Sequence, residues 1–161
     1  MMNKEQIALA VSLQALNCFN LDSLRNRILL QKKVYLAQLL GLGLGYRFSW
    51  YIHGPYSPDL AAVAYETIPT GVDSFIEYNL TDEAKGVTER VNNLKDELFA
   101  IDSSFKDDEP SAYELLASVA YLKKNRRLDV TEIKKQLQIE KPRFSADQIT
   151  TSYDLLDENE I

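Results

Sequence analysis

Apolar residues recur along this chain at helical spacing over most of its length. Ile7, Ala8, Val11, Leu13, Ala15 and Leu16 suit an amphipathic helix over 4–17, which Asn17 to Asn20 breaks. Asp22 or Ser23 caps a second helix running to about Leu40. It carries two apolar stripes, one through Leu24, Ile28, Tyr35 and Leu39 and one through Leu29, Leu36 and Leu40, so much of its surface should be buried. The run Gly41 to Gly45 ends it, because glycine tolerates left-handed caps and weakens helix interiors. No Lys-Ser or Lys-Thr pair follows and no strand precedes, so this is not a phosphate loop.

Tyr46 to Ile52 is aromatic and alternates loosely, as a short strand does. His53 to Pro58 reads as a turn, with Ser57 capping a helix from Pro58 to Ile68 that Pro69, Thr70 and Gly71 stop. Phe75 to Leu80 reads as a second strand. Thr81, Asp82 and Glu83 then open a long helix through Val87, Val91, Leu94, Leu98 and Ile101. After a polar loop, helices are expected at 110–124, 130–137 and 145–156, with an acidic tail from Asp157 that frays. This order suits a mainly α (α+β) protein: a winged-helix-like helical domain with a small two- or three-stranded antiparallel sheet and C-terminal helices. The expected organisation is a core over 1–102, a linker loop over 103–109 and a C-terminal helical module over 110–161, packed as a single compact unit.

Composition narrows the chemistry. At 161 residues the chain is long enough to bury a core without staples, and its single cysteine, Cys18, excludes an internal disulfide and a thiolate metal cage. Cys18 lies in an apolar stretch and reads as a buried structural thiol. The polar start and the lack of a long apolar run point to a cytoplasmic protein without a membrane partner. The net charge of −6 argues against a purely electrostatic grip on nucleic acid, but it is unevenly spread. Residues 59–109 hold 13 acidic and 4 basic side chains, net −9, whereas 121–143 hold 8 basic and 3 acidic, net +5.

No catalytic set emerges. His53 is the only histidine, which removes a histidine-based metal site, and a lone turn histidine is more often structural. The carboxylates sit in polar helical stretches that do not drive their pKa values apart. No cofactor or metal is expected. Gln31 lies seven residues from Leu24 on a stripe that should be buried, so it needs a partner, a backbone group or a tyrosine, with Lys32 snorkelling outward. The sharper alternative is a recognition pocket in which Gln31, Lys32 and Tyr35 meet Trp50, Tyr51, His53, Tyr56 and Ser57, a cation beside aromatic residues as at interface hot spots. The basic residues Lys123, Lys124, Arg126, Arg127, Lys134 and Lys135, with Lys141 and Arg143 beyond them, could neutralise phosphates if they share a face.

Leu30-Gln31-Lys32-Lys33-Val34-Tyr35-Leu36, Tyr46-Arg47-Phe48 with Tyr51-Ile52-His53-Gly54-Pro55-Tyr56-Ser57, and Glu114-Leu115-Leu116-Ala117 with Lys141-Pro142-Arg143-Phe144 together give a pattern. It resembles the YwgA-like bacterial proteins, which are related to the Panacea domain of SocA-like antitoxins. The resemblance implies a small intracellular protein, in families where some members neutralise toxins by direct contact or sit in defence and prophage loci. It implies a signature surface at Gln31, Lys32, Tyr35, His53, Gly54, Pro55, Tyr56 and Ser57, with no catalytic role attached. With no fused toxin or DNA-binding domain in view, the chain would act through a separately encoded partner.

The leading expectation is therefore a non-enzymatic protein-binding regulatory module, antitoxin-like, its partner a toxin or regulatory protein. A winged-helix DNA binder is the alternative, although the helix from Pro58 would read a groove poorly, with Asp59, Glu66 and Thr67 as its polar residues. A homodimer, docked through its own acidic and basic stretches, is a further arrangement the charges allow.

Overall fold

The computed structural model describes residues 2–161, and its helices begin at polar caps. Asn3, Ser23, Ser57, Thr81, Asp108, Asp129 and Ser145 each accept a hydrogen bond from a first-turn amide, which satisfies a donor the helix itself leaves open. Among the described residues these caps open seven α-helices, α1 (Lys4–Ala15), α2 (Leu24–Leu39), α3 (Pro58–Thr67), α4 (Asp82–Ile101), α5 (Glu109–Lys124), α6 (Val130–Glu140) and α7 (Ala146–Glu158). Between α2 and α3 lies one antiparallel sheet of two strands, β1 (Ser49–Tyr51) and β2 (Gly54–Tyr56), with Ser49 opposite Tyr56 and Tyr51 opposite Gly54. The protein is mainly helical with a small antiparallel sheet, as expected.

The core is built around α2 and α5, which pack along one another. Every residue of α5 from Ser111 to Ala120 is buried, and α2 is buried without interruption from Leu29 to Ala37. One apolar cluster runs through Leu13, Leu36, Leu60, Val91, Leu116 and Leu156, joining residues on both sides of the 103–109 loop. Leu40 closes α2, and Gly41 follows at φ 108°, a backbone conformation that L side chains resist.

Four expectations are corrected. Phe75 to Leu80 is not a strand: Gly71, at φ 79°, turns the chain into a short 3-10 segment, Val72–Ser74, and Phe75 then drops into the core against Phe19 at 5.3 Å. β1 takes β2 as its partner and not this segment. The turn expected at His53 to Pro58 instead supplies that partner, and only Ile52 and His53 make the hairpin turn. Leu24, placed on the stripe of α2 that should be buried, is exposed. The tail does not fray: α7 continues to Glu158, and Ile161 is buried with its amide donating to the Leu156 carbonyl.

Candidate functional site

Three consecutive polar residues in the middle of α2, Gln31, Lys32 and Lys33, are each at most 3 % exposed. Buried polar groups are expensive unless partnered, and the partners of the first two organise the hairpin. The Gln31 amide donates to the Ser57 carbonyl (3.0 Å) and accepts from the Ser57 amide (2.9 Å). One heptad later, Gln38 treats Tyr46 in the same way, with both bonds at 2.9 Å. Two side-chain amides on α2 thus imitate a neighbouring strand and clip both ends of the 46–57 segment. The backbone partner expected for Gln31 is present. Gln38, which no sequence argument singled out, completes the pair.

Lys32 does not snorkel. Its Nζ stays inside and donates to the Pro55 carbonyl at 2.7 Å. Burial pulls its pKa down to about 7, against the opposing pull of Glu114 and with a smaller push from Lys141 in the same direction. Ser57, wholly buried, caps α3 through its hydroxyl, so Gln31, the hairpin and α3 form one unit. Gly54 sits at φ 95° where a Cβ would come within 2.5 Å of the Ser118 hydroxyl of α5, and this close approach requires glycine.

The hairpin has two faces, as strand alternation dictates. Tyr51 and Tyr56 stack edge to face at 5.2 Å on one side. There they border an apolar cavity of about 300 Å³ between α2, the hairpin and α3. Gln31, Lys32 and His53 also line it, so five of the eight residues expected to form a pocket do meet. Tyr35, Trp50 and Ser57 do not line it. Tyr35 is buried against Phe48 and Tyr121 with its hydroxyl on Asn125, and Trp50 lies on the other face beside Tyr121 (5.5 Å), with its Nε1 3.4 Å from Glu140. In their place the cavity gains Leu24, Arg27, Ile28, Ile52 and Tyr65. Leu24, Tyr51, Ile52 and Tyr65 are all exposed, with Ile52 at 86 %, and they form an apolar rim.

A second, polar cleft flanks the turn and centres on Glu114 of α5. This buried carboxylate meets Lys141 Nζ at 3.3 Å, the Arg143 guanidinium and, through its other oxygen, His53 Nδ1 at 3.2 Å. Lys141 also donates to the Ile52 carbonyl (2.6 Å), tying the turn to the segment after α6. The signal for Glu114 was present in the sequence, since a lone acid inside Tyr113 to Ala120 demands a cationic partner.

Four of the basic residues are engaged within the chain. Lys141 and Arg143 serve Glu114, Lys123 pairs with Asp157 at 2.9 Å, and Arg126 lies over Trp50 and Tyr121. Lys124, Arg127 and Lys135 are exposed and Lys134 half-buried, without an ion pair among the described residues. Cys18 is buried, and burial pushes its thiol up to about 12, so it is inert at neutral pH. Among the described residues no group of three or more His, Cys, Asp and Glu side chains is placed to hold a metal ion, and no helix is long and apolar enough to cross a membrane. No family model, curated protein or solved structure matches the chain.

Proposed function

We propose that this chain is a non-enzymatic, protein-binding regulatory module that docks its partner on the cavity between α2, the hairpin and α3. The observation that carries this reading is the rim. Leu24, Tyr51, Ile52 and Tyr65 stand exposed around one apolar cavity, and contiguous exposed apolar surface of this kind marks interaction sites in soluble proteins. The frame beneath is fixed by the Gln31 and Gln38 clips, which favours a preformed site that loses little entropy on binding. The His53 ring is turned to Glu114, which fastens the hairpin turn to α5 beside the rim. The resemblance to the YwgA-like and Panacea proteins supports an antitoxin-like or defence-associated role inside a bacterial cell.

A photo-crosslinking residue placed at Ile52 tests this in cells, with one at Glu89 on the far helix as control. One defined protein should crosslink from position 52 and not from 89, and the band should fade when Tyr65→Ala is added. Absence of any specific adduct from position 52, or an adduct only with nucleic acid, would overturn the reading.

A further inference from the structure

The cavity carries a charge that its apolar walls do not explain. Arg27, Lys32 and His53 line it and no carboxylate does, although the chain holds 24 acidic against 18 basic side chains. Neither Arg27 nor Lys32 has an acidic partner within ion-pair distance among the described residues. Arg27 spends one nitrogen on the Leu21 carbonyl and Lys32 spends its ammonium on the Pro55 carbonyl. The nearby buried acid, Glu114, is already committed to Lys141, Arg143 and His53. A buried lysine held by one neutral acceptor weakens a fold, and an anion arriving from outside would compensate it.

The occupant must therefore bring an apolar group and a carboxylate to the same small space. An internal Asp or Glu brings the charge without the apolar bulk, whereas a chain's last residue carries both on one Cα. Resting on the protein-binding reading above, we propose that the pocket receives the apolar C-terminal residue of the partner protein, its α-carboxylate held by Arg27 and Lys32. The exposed rim of Leu24, Ile52 and Tyr65 then covers the residues leading up to that terminus.

Amide-resolved NMR titration of the full chain tests this, with N-acetyl-phenylalanine, its primary amide and sodium octanoate as the three probes. The free acid should shift the amides of Leu24, Ile52 and Tyr65 saturably and bind about tenfold more tightly than the amide, the weight of one charge-assisted contact. Lys32→Met and Arg27→Met should each lose most of that preference, and Lys32→Met should melt within a few degrees of the wild type. If Lys32→Met fails to fold, Arg27→Met, at a half-buried position, carries the same test. Equal binding of acid and amide, shifts that map elsewhere, or no saturable shift would overturn the proposal. Octanoate binding more tightly than N-acetyl-phenylalanine would overturn it in favour of a free fatty acid. A crosslinked partner at Ile52 together with equal binding of acid and amide sinks this inference alone. Selective acid binding with no crosslinked partner sinks the functional reading and, with it, the protein source of the carboxylate, leaving a small apolar acid as the ligand.

Discussion

Lys32 and Lys33 are adjacent on α2, and both are almost completely buried, yet the regions around them are built on different terms. Lys33 sits where α1, α4 and α5 converge. Its ammonium donates to the Leu16 carbonyl (2.6 Å) and to Asn92 (3.1 Å), lies 3.2 Å from Glu109, and faces the Tyr113 ring at 5.0 Å. Every lobe of that cation is answered, so it acts as a structural junction. Lys32, about 100° further round the helix, lines an open cavity and meets one carbonyl. One residue type at equal burial thus serves architecture in one region and is left under-satisfied in the other, and incompletely satisfied buried charge concentrates where proteins bind something.

The sharpest way to break the comparison is to remove both charges in turn. Lys33→Met strands Leu16, Asn92 and Glu109 and should cost about 3 kcal/mol in urea denaturation. A cost for Lys32→Met as large as this would show that the two sites are alike. Next in size is the hairpin seat. Gly54→Ala forces a left-handed alanine onto Ser118 and should cost about 2 kcal/mol. Ser118→Ala, whose hydroxyl is buried without a hydrogen-bond partner, should be close to neutral alone and should recover part of that loss in the double variant.

A last test reads a slope, small over any one pH unit. Lys32 has a folded-state pKa of about 7, below the 10.5 of an ordinary lysine, so between these values the unfolded chain binds the extra proton. Stability contributed at this site is therefore lowest below pH 7 and rises as pH increases toward 10.5. Glu114 and Lys141 are the charged groups acting on it. The stability of the wild type relative to Lys32→Met should rise with pH across this window, by at most about 1.4 kcal/mol per unit. A flat difference across pH 7 to 10 in paired denaturation curves would mean that Lys32 is already satisfied.

Helices were legible because their signals are local. A cap, a 3.6-residue apolar period and a Gly or Pro stop all lie within one segment, and α1 to α7 each begin within about two residues of where those signals place them. The sheet was half legible. Tyr46 to Ile52 announced β1, but β2 contains Gly and Pro, which speak for a turn and against a strand. Its pairing is set by contacts distant in sequence, Gln31 on Ser57 and Gly54 on Ser118, that no local pattern reports. The candidate site was legible as a region through its aromatic residues and lysine, but not as a shape. Strand alternation sent Trp50 to the opposite face from Tyr51, helix geometry turned Tyr35 toward Asn125, and Tyr65 and Leu24 arrived from elements whose surface position only the packing decides.

The glutamine clips grip main-chain atoms only, at Tyr46 and Ser57, and are indifferent to which side chains lie between them. Positions 51 to 53 can therefore be rewritten while the scaffold that presents them keeps its register. A lineage carrying this architecture can retarget its recognition tip by point substitution, in the manner of an interchangeable bit held in a fixed chuck.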